Sequence, residues 1–159
     1  MSISTRVDEF LNHQNISFSI VGHPLSSSSI SSAIAAKIPA KNIAKAVMLE
    51  DHEGRHLMAV LPADRKISLH KLQEHLAVSL HLVHEKELDV MFQDCQQGAI
   101  PALASAYHVN SIYDEALDDL SDVYLEAGDH QTLIHLKQDQ FSKLMASTKH
   151  MKFSAQIIH

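Results

Sequence analysis

The stretch Ile43-Ala44-Lys45-Ala46-Val47-Met48-Leu49-Glu50-Asp51-His52-Glu53-Gly54-Arg55-His56-Leu57-Met58-Ala59-Val60-Leu61-Pro62 reads as a β-hairpin. Residues 43–50 and 55–62 are apolar runs of strand length, and Asp51-His52-Glu53-Gly54 supplies the turn residues between them. Lys45 lies inside the first run, where an ammonium flanked by apolar side chains needs a carboxylate or phosphate partner. A strand lysine can also lay its stem on the core and keep its head in water, so the run alone leaves both readings open.

Upstream of the hairpin, Val7, Phe10, Leu11 and Gln14 mark one face of an opening helix capped by Ser4 or Thr5. Ser17 to Gly22 is extended and stops at His23-Pro24, because the residue before proline avoids helical geometry. The serines at 26–29 lead into Ile30, Ala33, Ile34 and Ile38 at helical spacing, so they mark a helix start and not a linker. Pro39 closes that helix. Downstream, Ser68 caps a helix with Leu69, Leu72 and Leu76 turned inward. A short strand from Ser79 to Val83 precedes an acidic helix near 85–92, and Gln93 to Gly98 opens the turn Gly98-Ala99-Ile100-Pro101. Short strands follow near 107–112, 122–127 and 131–136, then a helix over 138–147 carrying Phe141, Leu144 and Met145. Hairpins with helices inserted between them predict an α/β (α+β) fold with a mixed, mostly antiparallel sheet. With no repeat and no linker, residues 1–159 read as a single domain.

Composition narrows the class. Apolar residues make up 45% of the chain, which argues against disorder. The single Cys95 excludes an internal disulfide framework. Arg6, Asp8 and Glu9 occupy the place where a signal peptide carries its apolar stretch, and no run approaches the roughly 18 residues of a membrane span. A cytoplasmic, soluble protein with no membrane partner is expected. The net charge of −6 gives no reason to expect DNA binding, but the charge is unevenly placed. Residues 37–71 hold seven bases against four acids, whereas 85–129 hold Lys86 against eleven acids. One cationic face on an anionic molecule is therefore available, as is an ordinary uneven surface.

Thirteen histidines raise the question of a metal. His70 and His75 are one residue too far apart for an inverted zinc-protease motif, and no His-Glu-x-x-His occurs. His81 and His84 fall on opposite faces of a strand. No metal and no other cofactor are expected. Nor is there a nucleophile with its base: no Gly-x-Ser-x-Gly occurs, and Cys95 lies in a polar, acidic stretch.

Three elements in order, the Lys45 strand, the Gly98-to-Pro101 turn and the hairpin-like stretch from Val123 to Leu136 around Gly128-Asp129-His130, resemble the YbaK/prolyl-tRNA synthetase-associated editing domain family over roughly residues 3–146. The resemblance implies a curved, barrel-like sheet flanked by helices. It implies an aminoacyl-tRNA deacylase acting in trans, which hydrolyses the ester of a small mischarged amino acid of the Ala, Ser or Cys type. Its partners would be the acceptor end of aminoacyl-tRNA and an aminoacyl-tRNA synthetase.

In that reading Lys45 holds the phosphate or sugar end of the acceptor, as a compact point charge can. Gly98 lets the backbone approach the ester, and the amides of Ala99 and Ile100 stabilise the oxyanion while Pro101 stiffens the exit. Val47, Ile100 and Leu103 would wall the pocket, with Gly128 and His130 facing it and Arg65 and Lys66 tracking the RNA backbone. This chain has Ile100 where many members carry a small polar residue or one residue more. The competing reading is a non-catalytic ligand- or partner-binding module that keeps the fold.

Overall fold

The computed structural model describes residues 3–156. The quoted hairpin is its centre: β2 (Ile43–Asp51) pairs antiparallel with β3 (His56–Pro62), Lys45 opposite Leu61 and Glu50 opposite His56. Asp51 builds the turn. Its Oδ1 accepts the amides of Glu53 and Arg55, each at 2.9 Å, its Oδ2 accepts the Arg55 Nε–H at 2.7 Å, and Gly54 supplies the left-handed residue at φ +81°.

The outer strands extend this pair into a sheet of order β1-β8-β7-β2-β3-β6-β9. Its further members are β1 (Ser19–Gly22), β5 (Leu80–Leu82), β6 (Asn110–Asp114), β7 (Asp122–Glu126), β8 (Thr132–Lys137) and β9 (Lys149–Met151). β5 pairs with β2 beyond the end of β7. The sheet is mixed: β2–β7, β3–β6 and β6–β9 run parallel, and β1–β8, β2–β3, β2–β5 and β7–β8 run antiparallel.

The helices start where the sequence places their caps. In α1 (Thr5–His13) the Ser4 hydroxyl accepts the Val7 amide and the helix buries Val7 and Leu11. In α2 (Ser29–Ala36) Ser28 accepts the Ser31 amide, and Lys37 ends the helix in the left-handed region ahead of Pro39. Ser68 caps α3 (Leu69–Leu76), which buries Leu72 fully and Leu69 and Leu76 partly. α4 (Glu85–Met91) and α5 (Gln138–Leu144) follow the expected order. Among the described residues no helix is long and apolar enough to cross a membrane.

Some of the sequence reading needs correcting. Arg65 and Lys66 lie in a strand that the sequence reading lacks: β4 (Arg65–Ile67) pairs with β10 (Ser154–Gln156) in a separate two-stranded sheet. The strand expected near 107–112 starts at Asn110, because Ala104–Tyr107 winds into a 3-10 turn. Each missed strand is three residues long and polar at most positions, too short for a period to show.

The hairpin turn has a pH signature. Arg55 and the turn amides hold the Asp51 carboxyl down to about 2. A depressed acid contributes stability above its unfolded value, roughly 3.9, and loses it as pH falls through the folded one. Urea unfolding of Asp51→Asn against the parent should therefore show a deficit at pH 6 that closes between about pH 4 and about pH 2. A deficit constant across that range would mean that the charge is irrelevant.

Candidate functional site

The β7–β8 connection and the loop before Pro101 are bound to one another. Gly128 adopts φ +115°, and a Cβ there would lie 3.2 Å from the Cys95 sulfur, so the approach demands glycine. The Asp129 carboxylate accepts the Gln131 amide and the Thr132 hydroxyl, which fixes the turn and leaves His130 in the left-handed region at φ +58°. That conformation points the His130 ring at the loop, where its Nε2–H donates to the Gln97 carbonyl. The Gln96 amide donates to the Gly128 carbonyl at 2.7 Å. Gly98, at φ +81°, meets this junction so closely that a Cβ would lie 3.5 Å from the His130 ring and 3.6 Å from the Ser27 carbonyl oxygen.

Behind the junction lies a buried polar set. Glu126, the last residue of β7, is 2% exposed, and one of its oxygens accepts the Ser32 hydroxyl at 2.6 Å. Ser32 also bonds Ser26 at 2.7 Å, and the Ser26 amide donates to the His130 carbonyl. His23, 9% exposed, donates through Nδ1 to the Pro24 carbonyl. Of the four buried side-chain atoms that keep no hydrogen-bond partner among the described residues, three belong here, Glu126 Oε2, His23 Nε2 and His130 Nδ1, and the fourth is Asp64 Oδ1. With the other ring nitrogens donating to carbonyls, all three are acceptors when the imidazoles are neutral and the Glu126 carboxyl is ionised. Burial raises the Glu126 carboxyl above its usual range, against the pull of Ser32, His130 and His23. Acceptors of this kind call for hydrogen-bond donors, and an ammonium is one group that supplies several.

Lys45 stands on the same face of the sheet. The parallel register pairs Ile43 with Tyr124 and Ala44 with Leu125, so its next step sets Lys45 beside Glu126. The Lys45 amine, however, turns to the Ala63 carbonyl at 3.4 Å. Partial burial lowers its ammonium from the usual value, and Asp64 opposes the shift.

Strand alternation separates other expected partners. Val47 packs with Leu49, Leu61 and Leu72, while Ile100 and Leu103 pack in the core beneath Ala44 and Met48. Val47 therefore does not share a wall with Ile100 and Leu103. The cavity of about 100 Å³ at the loop is lined by Leu88, Phe92, Cys95, Gly98 and Ile100, among others, and Lys45 is not one of its lining residues.

The amide assignment changes too. The Ala99 N–H already donates to the Gln96 carbonyl at 3.0 Å, whereas the Ile100 N–H has no partner among the described residues. Arg65 is likewise occupied, its guanidinium donating to the Ser154 hydroxyl and carbonyl, while Lys66 is exposed. Burial pushes the Cys95 thiol up to about 12, the reverse of what a nucleophile needs. Among the described residues, the donors close enough to share a metal are Glu50, His56 and Glu87, and no residue of this junction belongs to that group.

Glu126, Ser26, Ser32 and His23 were not singled out from the sequence. Glu126 gave the same signal as Lys45, a charge inside the apolar run Val123-Tyr124-Leu125-Glu126-Ala127. The serines carried none beyond helix capping.

A family model described as the aminoacyl-tRNA editing domain matches residues 23–144. Among curated proteins none matches the sequence. Among solved structures, a hypothetical protein 16% identical superposes with a TM-score of 0.81 over 94% of this chain and 99% of that one. A candidate trans-editing enzyme for prolyl-tRNA synthetase, also 16% identical, gives 0.79 over 97% and 99%. A candidate signal transduction protein from Marinobacter aquaeolei VT8, 20% identical, gives 0.79 over 98% of this chain and 31% of that one. At these identities the structural likeness is one of fold.

Glu126 can be tested without any substrate. A carboxyl with a raised folded value favours the folded state below its unfolded pKa, and that benefit is lost as pH rises through the folded one. Glu126→Gln keeps the shape and drops the charge. Its unfolding free energy relative to the parent should rise with pH across this window, and a pH-independent difference would mean that the carboxylate is not strained by burial.

Proposed function

From the premise that this chain belongs to the aminoacyl-tRNA editing domain family, we propose that it is a deacylase acting in trans on tRNA carrying a small mischarged amino acid. The observation that carries the reading is the set of three buried acceptors, Glu126 Oε2, His23 Nε2 and His130 Nδ1, next to the glycine loop. A free aminoacyl ester brings an α-ammonium, whose three N–H bonds suit that set. Lys45, beside Glu126 on the same face, swings from the Ala63 carbonyl to the acceptor phosphate, so that a cation and an anion bracket the two charged ends of the substrate. Lys66 supports the RNA backbone from the surface, and salt weakens the binding.

Water attacks the ester carbonyl carbon. The developing oxyanion takes the Ile100 N–H, which Gly98 and Pro101 hold in place. Collapse breaks the bond to the ribose oxygen, and that oxygen takes the proton lost by the water. The substrate's vicinal hydroxyl assists, so the reaction requires neither an enzyme nucleophile nor a metal. The tight approach of Gly98 to His130 and Ser27 favours Ala, Ser or Cys over larger side chains. A partner synthetase supplies the choice of tRNA.

One observation favours the alternative, a non-catalytic binding module: the Ala99 amide is already spent on Gln96, so the loop offers fewer donors than the family reading expects. A panel of mischarged tRNAs separates the two. The chelator-treated protein should deacylate at least one of them, and no turnover on any would favour the module. Gly98→Val forces a branched residue to φ +81° and should lower turnover by about 10²–10³-fold, roughly 2.7–4 kcal/mol of transition-state stabilisation. Ile100→Ala should mainly change which amino acid is accepted. Lys45→Ala should cost about 1.5–3 kcal/mol in kcat/KM with little change in stability. Equal, mild effects of the two loop substitutions would reduce the loop to a wall.

A further inference from the structure

Glu50, near the end of β2, is flanked by a histidine on each side. His56 of β3 and His81 of β5 are its direct cross-strand partners, so all three side chains project from one face of the sheet. α4 lays Glu87 over the same spot. The His56 Nε2 is 2.5 Å from the Glu87 carboxylate and 4.0 Å from that of Glu50, and the His81 Nε2 is 3.8 Å from Glu50. The ligand atoms of Glu50, His56 and Glu87 all lie within 4.8 Å of one another.

We propose that this cluster binds a divalent transition cation of the zinc type, with His81 as the fourth ligand. A proton on His56 accounts for its contact with Glu87 alone. It leaves the two contacts of Glu50 beyond hydrogen-bond range. A cation at the centre draws in all four groups, since zinc takes two imidazole nitrogens and two carboxylate oxygens at tetrahedral spacing. Magnesium and calcium select all-oxygen sites and fit this set poorly.

The ligands are 22% (Glu50), 29% (His56), 40% (Glu87) and 64% (His81) exposed at the side chain, so the site is reachable from solvent. The consequence falls on α4. That helix has no side-chain cap at its N-terminus and no fully buried residue, packing on the core only through the partly buried Leu88 and Met91. Its Leu88, together with Phe92 just beyond its end, lines the cavity beside Gly98 and Ile100. A cation joining Glu87 to β2, β3 and β5 pins that wall. The proposal does not depend on the catalytic reading, and the cation takes no part in the chemistry.

The test is isothermal titration of the chelator-treated, dialysed protein with zinc chloride, alongside thermal unfolding with and without one equivalent of zinc. One equivalent should bind and raise the unfolding temperature, and magnesium chloride should do neither. His56→Ala and the near-isosteric Glu87→Gln should each weaken zinc binding at least tenfold and abolish the thermal shift. His70→Ala, which removes an exposed histidine paired with Glu74 on α3, should change nothing. No zinc binding by the parent would overturn the proposal, as would equal binding by the parent, His56→Ala and Glu87→Gln. Should His56→Ala fail to fold, Glu50→Gln and Glu87→Gln carry the test by themselves.

Discussion

The backbone of β2 bonds to three strands, and the positions of all the chemical groups follow from that ladder. β3 takes one edge along its length, and β7 and β5 share the other, first β7 and then β5. Because side chains alternate across a strand, this ladder sorts charged residues onto two faces. Lys45 joins Glu126 on one face, and Glu50 joins His56 and His81 on the other. A slip of one residue in register would exchange the two sets and bury the wrong ones. The Asp51 turn guards against that slip, since its carboxylate fixes which residues close the hairpin.

Burial then decides what these groups are worth. Glu126 is held by Ser32 on one oxygen and left without a donor on the other, in a place that water scarcely reaches. Such an arrangement costs stability in the free protein. Asp51 shows the opposite case: two amides and a guanidinium satisfy it, and it stabilises the turn. These two carboxylates lie in strands of one sheet and differ in how far burial outweighs the donors that the chain supplies.

The junction between the Gly128-Asp129-His130 turn and the Gly98 loop joins segments that are thirty residues apart through backbone contacts that few sequences could make. Gly128 yields space to Cys95, and Gly98 yields space to His130 and Ser27. His130, in a strained left-handed conformation, ties its ring to Gln97. The loop is therefore shaped from outside itself. For that reason the Ala99 amide, which is suitable in a linear reading, is turned into a local bond with Gln96.

The sequence by itself determined most of the order of elements, a cap at Ser4 or Thr5, one within serines 26–29 and one at Ser68, the central hairpin and the mixed sheet, because these depend on local periodicity and turn chemistry. It also marked Lys45, Gly98, Gly128 and His130, whose residue types stand out against their neighbours. It could not find β4, β9 and β10, which are too short to carry a period. The tertiary structure alone decided which strands are parallel neighbours, and so that Lys45 stands beside Glu126 while Val47 is parted from Ile100 and Leu103. It alone gathered Glu50, His56, His81 and Glu87 from four elements. Pairing between distant strands leaves no mark in the spacing of residues, because it is set by how the whole chain buries its apolar faces.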